Sequence, residues 1–300
     1  MSHVTDPGDG PGRMPTRTGT DEQDDPARAT GARRILAVRG AAAEERRDVL
    51  AGEEPMAIRA AGPGQDPVDV AVTMRTPGED AELAIGFLFT EGLIAPGDVA
   101  SVDVGDPSAI AHPDDEVLVR LRVPFDVSAV AARNFVATAS CGICGKATLD
   151  SVALRCPRVA PGPVVGRSAL VGLPDALRAG QAVFERTGGL HAAGLFETDG
   201  TLVRVAEDVG RHNALDKLVG ASLVAGDLPF AGRIVLVSGR LAFEIVAKAG
   251  AAGAPILAAV GAPTDLAAEA AERLGMTLVG FLRGDGFNVY AGPERIDLAG

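Results

Sequence analysis

The last third of the chain alternates short apolar runs with segments of helical length, and this pattern restricts the fold most. The apolar runs are GRIVLVSGR (232–240), APILAAVG (254–261) and MTLVGFLR (276–283), and the segments between them have helical periodicity. Thr264 and Gly275 are placed to cap the second of these helices. Strands joined by single helices predict right-handed crossovers and a mixed, mostly parallel sheet that is covered on both faces. We therefore expect an α/β domain over residues 161–300.

The first half of the chain has a different pattern. Apolar residues alternate with polar ones at 33–40, 54–60, 68–75 and 116–123, which predicts strands. Thr76, Pro77 and Glu79 match a capping box and predict a helix that follows at once. These elements indicate a smaller N-terminal α+β domain over residues 32–136. Residues 1–31, rich in Pro, Gly and Asp, are predicted to be a disordered tail, and residues 137–160 a loop.

Composition argues against several classes of function. The net charge of −12 and the aromatic content of 4%, without Trp, are unfavourable for a nucleic-acid partner, which needs cationic and stacking side chains. No segment has the roughly 18 apolar residues in a row that a membrane helix needs, and no signal peptide is evident. With only three cysteines, we expect a cytoplasmic protein with reduced thiols and no membrane partner.

Two of these cysteines, Cys141 and Cys144, form a CxxC motif in the segment TASCGICGKA (138–147). A zinc site would need two more ligands, from among Cys156, His112, His191 and His212. A thioredoxin-like dithiol is expected early in a compact domain, not after about 140 residues. A thiolate assisted by Lys146 could instead attack a sulfane sulfur and hold it as a persulfide. The motif alone leaves these alternatives open.

Zinc deaminases combine a CxxC motif with an H-x-E motif whose glutamate moves the proton. The closest match in this chain is His191, Ala192, Ala193, which has no glutamate and follows the cysteines instead of preceding them. Nucleoside deamination is therefore disfavoured.

A second polar cluster is EDVGRHNALDK (207–217), which follows an alternating strand and opens a helix. Arg211 and His212 are candidates for phosphate binding or proton transfer, as is His191 in TGGLHAAG (187–194). In parallel sheets, ligands bind beyond the carboxyl ends of the strands, where SGR (238–240) and GAPTD (261–265) are expected to lie. Free N–H groups at the starts of the helices that follow can hold an anionic group there.

Taken together, these segments resemble the formate dehydrogenase accessory sulfurtransferase family, the sulfur carriers that mature the molybdenum cofactor. The resemblance covers about residues 33–298. It is carried by FLFTEGLI (87–94), CGICGK (141–146), TGGLHAAGLF (187–196), EDVGRHNALDKLVG (207–220), SGRLAFEIVAKAG (238–250) and GFLRGDGFNVY (280–290). Cys156 and the acidic tail lie outside the pattern.

The resemblance implies a cytidine-deaminase-like three-layer core, a homodimer and two further partners, a cysteine desulfurase and the formate dehydrogenase apoenzyme. Cys141 would carry sulfur as a persulfide, with Cys144 as its partner. The sulfur acceptor would be the bis(molybdopterin guanine dinucleotide) cofactor of molybdenum, and no resident metal is expected. The cofactor segment falls on Phe281, Leu282, Arg283, Gly284, Asp285 and Gly286. Because such a cofactor carries several phosphates, Arg283, Arg240 and Arg211 are expected to be its local donors. The alternative is a cofactor-binding chaperone whose CxxC motif is structural or binds zinc.

Overall fold

The computed structural model describes residues 16–18, 28–105, 116–131 and 158–299. The N-terminal part contains seven strands and two helices: β1 (Thr16–Thr18), β2 (Thr30–Arg39), β3 (Ala42–Ala51), β4 (Glu54–Ala61), β5 (Val68–Arg75), α1 (Asp80–Thr90), β6 (Val99–Val104), β7 (Glu116–Leu121) and α2 (Val127–Ala131). β1 and the start of β2 fall within residues 1–31, where the sequence predicts a tail. The described chain therefore includes ordered segments before the predicted boundary.

The C-terminal part begins with β8 (Val165–Gly166), α3 (Arg167–Gly180), α4 (Ala182–Thr187), β9 (His191–Phe196) and β10 (Leu202–Asp208). It continues with α5 (Arg211–Ala225), β11 (Ile234–Val237), α6 (Phe243–Ala251), β12 (Ile256–Ala259), α7 (Asp265–Leu274), β13 (Thr277–Arg283) and β14 (Gly286–Ala291). A short 3₁₀ helix (Pro293–Arg295) and β15 (Ile296–Asp297) follow, and β15 pairs with β8.

Six of these strands form one mixed sheet in the order β10-β9-β11-β12-β13-β14. β11, β12 and β13 are parallel neighbours joined through α6 and α7, as the sequence predicts. The other three pairings are antiparallel, so the prediction of a mostly parallel sheet was wrong. The reason lies in the connections, because β10 follows β9, and β14 follows β13, through turns too short for a crossover.

Helices cover both faces of this sheet. On one face, Val235 and Val237 of β11 pack in a cluster with residues of α5, α6 and α7. On the other face, Ile234 and Leu236 pack in a cluster with residues of α3, which are Leu170, Leu173 and Leu177. Alternate residues of a strand point to opposite faces, so a strand that is buried on both faces must be apolar throughout. All four residues of β11 are buried.

The second large sheet has five strands in the order β1-β6-β7-β4-β5. Its core includes Met56 and Ile58 of β4 together with Leu83 and Leu88 of α1, which covers one face. β2 and β3 form a separate antiparallel hairpin. The predicted α+β character of the N-terminal part agrees with these elements.

Helix α1 connects the two large sheets because it crosses α5 at very short range. A Cβ atom on Gly86 would lie 1.8 Å from the carbonyl oxygen of Asp216, and one on Gly220 would lie 1.9 Å from that of Glu82. Only glycine at both positions lets the two backbones approach this closely. The crossing therefore holds the C-terminal polar cluster against the N-terminal part of the chain.

The predicted capping box does not cap α1. The helix begins at Asp80, and its N-cap residue Glu79 has φ 55° and makes no side-chain capping hydrogen bond. The Thr76 hydroxyl donates to the carbonyl oxygen of Gly52 (3.0 Å) and accepts from the amide of Val209 (3.1 Å). Thr76 thus connects β5 to the end of β10, and this tertiary role displaces the local one.

Candidate functional site

The CxxC motif lies outside the described residues, together with Lys146 and Cys156. The chain is described up to Ala131 and again from Arg158, where the amide of Val159 donates to the carbonyl oxygen of Leu274 (2.8 Å). Leu274 ends α7, at the amino ends of the parallel strands. Because Cys141 is ten residues beyond Ala131, the covalent chain allows a separation of up to about 33 Å between them.

Three segments, 238–240, 261–263 and 281–286, lie at the carboxyl ends of β11, β12 and β13, where the sequence predicts a binding site, and His191 and Arg211 lie beside them. We call this set the rim. The amide of Gly261 donates to the carbonyl oxygen of Gly239 (3.1 Å), and the amide of Phe281 donates to that of Gly261 (3.0 Å). A Cβ atom on Gly261 would lie 2.6 Å from the Gly239 oxygen, so the turns pack backbone against backbone.

His191 and Arg211 flank Gly239 on the rim. A Cβ atom on Gly239 would lie 3.4 Å from Nδ1 of His191 and 3.7 Å from Cδ of Arg211. His191 is the first residue of β9 and pairs with Asp208 on the neighbouring strand β10. Arg211 is the first residue of α5. The structure thus brings together two segments that the sequence identified separately, TGGLHAAG and EDVGRHNALDK.

Two polar atoms at the start of α5 are buried but have no hydrogen-bond partner among the described residues. They are Nε of Arg211 and Nε2 of His212. A buried donor without an acceptor is unfavourable by about 1–3 kcal/mol. Three other side chains, Arg59, Glu82 and Arg204, also have such an atom, and at the start of α5 a bound ligand could supply the missing partner.

Both histidines are neutral at pH 7. Burial, together with the nearby cations of Arg211 and Lys248, lowers the pKa of His212 to about 4, against the smaller opposing effect of Glu244 and Glu91. Burial also lowers the pKa of His191, and the Arg211 guanidinium adds to this, whereas Asp208 opposes it. Each imidazole therefore has a nitrogen that can accept a proton or a hydrogen bond.

Phe281 has a strained backbone at the end of β13. Its φ of 54° lies in the left-handed region, and the pairing of β13 with β14 is irregular between Gly280 and Arg283. The Arg283 guanidinium carbon lies 5.6 Å from the centre of the Phe281 ring, which is cation–π distance. This bulge places an aromatic ring and a cation in the last turn-proximal residues of β13.

The other residues of the predicted cofactor segment differ in what they expose. The Leu282 side chain is fully buried in the cluster that includes α3, so Leu282 could offer a ligand only its backbone. Gly284, Asp285 and Gly286 are exposed at the β13–β14 turn, and Nη2 of Arg167 donates to the carbonyl oxygen of Asp285 (2.7 Å). Arg240 is exposed next to Gly239.

Most of the polar cluster 207–217 holds the fold together. Nζ of Lys217 lies 2.9 Å from Oδ2 of Asp208, and it also donates to the carbonyl oxygen of Thr76 (2.9 Å). Asn213 donates to Oδ1 of Asp208 (3.0 Å) and to the carbonyl oxygen of Met74 (2.8 Å). The carboxylate of Glu207 accepts from the amides of Val183 and Phe184 at the start of α4.

Asp216 belongs to a second buried network that sequence reasoning missed. Nζ of Lys248 in α6 donates to both carboxylate oxygens of Asp216 (3.0 and 2.9 Å), and the Thr90 hydroxyl donates to Oδ1 (2.7 Å). Lys248 also donates to Glu91 (3.1 Å). Burial opposes the charge on Lys248, but Asp216 and Glu91 outweigh burial and raise its pKa. Of the seven polar residues in the cluster, Arg211 and His212 are the two left for a ligand.

The part of the chain that the structure describes contains no group of three or more His, Cys, Asp or Glu placed to hold a metal ion. No helix within that part is both long and apolar enough to span a membrane.

Comparison with known proteins first defines the class of fold. A crystal structure of a formate dehydrogenase accessory protein from Desulfotalea psychrophila superimposes with a TM-score of 0.67, covering 90% of this chain and 100% of that chain at 24% identity. The two proteins share a mixed α/β fold with several sheets.

Sequence comparison then identifies the family. The FdhD/NarQ family model matches residues 51–297. Sulfur carrier protein FdhD of Streptomyces coelicolor is 47% identical over 281 residues, covering 90% of this chain and 97% of the relative. The protein of the same name from Sulfolobus acidocaldarius is 45% identical over 251 residues, covering 84% and 92%. The chain belongs to the FdhD/NarQ family, which confirms the resemblance found in the sequence.

Proposed function

We propose that this protein is a sulfur carrier that accepts sulfane sulfur from a cysteine desulfurase and delivers it to the bis(molybdopterin guanine dinucleotide) cofactor before the cofactor enters formate dehydrogenase. The observation that carries the proposal is the family match over residues 51–297, which includes both the CxxC motif and the rim. Relatives matched over 90% of this chain are named sulfur carrier proteins.

Loading is thiol–persulfide exchange at Cys141. The Cys141 thiolate attacks the outer sulfur of the donor's persulfide, a new S–S bond forms on Cys141, and the donor cysteine leaves as a thiolate that takes up a proton. The exchange involves no net oxidation or reduction. Lys146 favours the thiolate form of Cys141, and Cys144 is its partner thiol.

Delivery requires a site for a ligand with several phosphates on a protein whose net charge is −12. The rim supplies local cations for this in Arg211, Arg240 and Arg283, and guanidinium groups suit phosphate oxygens because they donate in pairs. Nε of Arg211 is buried and lacks an acceptor among the described residues, so an anionic ligand would relieve an unfavourable state. The bare backbone at Gly239 allows a ligand to approach closely.

His191 and His212 are suited to proton transfer during delivery. Both are neutral at pH 7 because burial and the Arg211 cation lower their pKa values. A neutral imidazole next to Arg211 can accept the persulfide proton. The S–S bond on Cys141 then breaks, the outer sulfur passes to the acceptor, which supplies the electron pair of the new bond, and Cys141 leaves as a thiolate that takes the proton back from the imidazolium.

The remaining parts of the proposal follow the family resemblance. The carrier acts in the cytoplasm, as a homodimer, between the desulfurase and the formate dehydrogenase apoenzyme. The six-stranded sheet with helices on both faces is compatible with a cytidine-deaminase-like core. Light scattering of the purified protein would test the homodimer.

Mass spectrometry of the intact protein tests the loading step. After incubation with a cysteine desulfurase and cysteine, the wild type should gain the mass of one sulfur atom, which a reductant removes. Cys141→Ala should not gain it, whereas Cys156→Ala, outside the family pattern, should load normally. An adduct that persists in Cys141→Ala would remove Cys141 from its role. A wild type with stoichiometric zinc and no adduct would support the chaperone alternative.

A further inference from the structure

The β2–β3 hairpin is a two-stranded sheet of its own, and most of its residues are exposed. Its strands have ten residues each and pair with no other strand in the part of the chain that the structure describes. Its base is held, because Nη2 of Arg186 in α4 donates to the hydroxyl oxygen of Thr30 (3.1 Å). Further along β2, Leu36 and Val38 are 63% and 65% exposed. Isolated two-stranded hairpins are only marginally stable in water, so a partner would stabilise this one.

β2 offers such a partner an open edge. On the side away from β3 it pairs with no described strand, and its central residues Ile35, Leu36 and Val38 are apolar, with no proline in the strand. A long edge of this kind is a template for pairing with another chain. The two ten-residue strands also approach the roughly 20–30 residues that a stable interface takes from each side.

The charges along the hairpin are not balanced within one chain. Arg34 on β2 lies directly opposite Arg47 on β3, and like charges in facing positions are unfavourable. Glu45 lies opposite the apolar Leu36 instead of a cation. A partner strand that brings a carboxylate into the same cross-strand row as Arg34 would therefore stabilise the hairpin.

We propose that the open edge of β2 pairs with the same edge of a second copy of this chain, so that the two hairpins form one four-stranded antiparallel sheet. This inference rests on the homodimer of the proposed function and names its interface. In an antiparallel pair about a two-fold axis, the central residue faces its own copy. With Ile35 at the centre, Arg34 faces Leu36 and Arg33 faces Ala37 of the other copy. No two like charges then face each other across the new pairing.

The same register supplies the carboxylate that Arg34 lacks. Because Glu45 lies opposite Leu36 within the hairpin, Arg34 of the other copy extends that row by one strand. Arg34 and Glu45 would then be two strands apart, roughly 9.6 Å, on one face of the sheet, which long side chains can bridge. The edge of β3 offers no such match, because a two-fold axis at any of residues 44–48 sets a charged side chain against its own copy.

Cysteine cross-linking of the full chain tests this register, with the three native cysteines replaced by serine. Ile35→Cys would place the new thiols on facing residues whose Cα atoms are about 4.5–5.5 Å apart, within disulfide range. Mild oxidation should then convert most of the protein into a linked dimer on a non-reducing gel. Arg33→Cys is the control, because residue 33 is exposed on the same face but would lie about 13 Å from its copy along the strands.

Sedimentation equilibrium of the full chain tests whether the dimer depends on this edge. Ile35→Glu should weaken the dimer by at least about tenfold, because two carboxylates would face each other. Within the hairpin the new carboxylate lies opposite Arg46, which is favourable, so the hairpin itself is retained. Val72→Glu is the matched control, because Val72 is 65% exposed on β5, the edge of another sheet. Its dimer should be as stable as that of the wild type.

The outcomes separate this interface from the rest of the proposed function. A cross-link at position 35 but not at position 33, with a dimer that only Ile35→Glu weakens, supports the proposal. No cross-link at position 35, equal cross-linking at both positions, or a dimer that Ile35→Glu leaves intact overturns the interface but not the homodimer. A wild type that stays monomeric at every concentration overturns both, while persulfide loading still tests sulfur transfer.

Discussion

At the scale of residues, charged side chains in one short segment have two different roles. Asp208, Asp216 and Lys217 are almost completely buried and paired, whereas Arg211 and His212 keep buried atoms without partners. The sequence indicates a polar site in this segment but cannot separate the two roles. The partners that decide them, Thr76 and Lys248, are far away along the chain.

Removing one member of a buried ion pair should be strongly destabilising. Lys248→Met would leave the Asp216 carboxylate, 1% exposed, without its cation, which costs about 3–5 kcal/mol of unfolding free energy. Urea denaturation measures this loss. Arg204→Met is the control, because Arg204 and Asp227 form a partly exposed pair that contributes less than about 1 kcal/mol. Equal losses in the two variants would show that the Asp216–Lys248 pair is not energetically special.

The lowered pKa of His212 predicts how the unfolding free energy depends on pH. Its pKa is about 4 in the folded protein and about 6.5 when unfolded, so the neutral form favours folding. This contribution is complete above pH 6.5 and is lost as pH falls towards 4. Between pH 7.5 and pH 5, the wild type should lose up to about 2 kcal/mol more unfolding free energy than His212→Asn. Chemical denaturation at the two pH values measures the difference, and identical losses would contradict the assigned pKa.

At the scale of elements, sequence patterns located strands better than they determined strand direction. β11, β12, β13 and α7 lie where the hydrophobic runs and the caps Thr264 and Gly275 predict them, and the Thr264 hydroxyl does accept from the amide of Ala267 (3.3 Å). Strands β9 and β14, which form antiparallel pairings, were not predicted from the sequence, and β14 is mostly exposed, so no buried apolar run marks it. The prediction of a capping box at Thr76 was wrong because the Thr76 hydroxyl instead forms hydrogen bonds with the backbone of Gly52 and Val209.

The α1–α5 crossing also has no signal in hydrophobic periodicity, since it depends on two glycines that lie far apart in sequence. Gly86→Ala should destabilise the protein by about 3 kcal/mol or more, because the new methyl group would meet the backbone of Asp216. Gly172→Ala, on α3, is the control. A Cβ atom there meets nothing within 4 Å, and alanine favours helix by about 0.5–1 kcal/mol. Thermal denaturation should show opposite shifts, and a mild effect at Gly86 would argue against this close crossing.

At the scale of the whole molecule, the proposed function requires that a thiol that loads sulfur reach the acceptor at the rim. After residue 131 the described chain resumes at Arg158, beside the end of α7 and the amino ends of the parallel strands. The rim lies at the opposite, carboxyl ends of these strands. The sequence predicts the rim because ligands bind beyond strand ends. The pairing of His191 with Arg211 around Gly239 emerges only when three separate segments meet in the fold.

The most direct test of sulfur delivery is a single-turnover chase from protein loaded with ³⁵S at Cys141. On addition of the bis(molybdopterin guanine dinucleotide) cofactor, the wild type should transfer its label to the cofactor. Arg211→Met should load to the same extent but deliver at least about tenfold more slowly, because a charge-assisted contact to phosphate contributes about 1.5–3 kcal/mol. Label that leaves the Arg211→Met variant as fast as it leaves the wild type would contradict delivery at the rim.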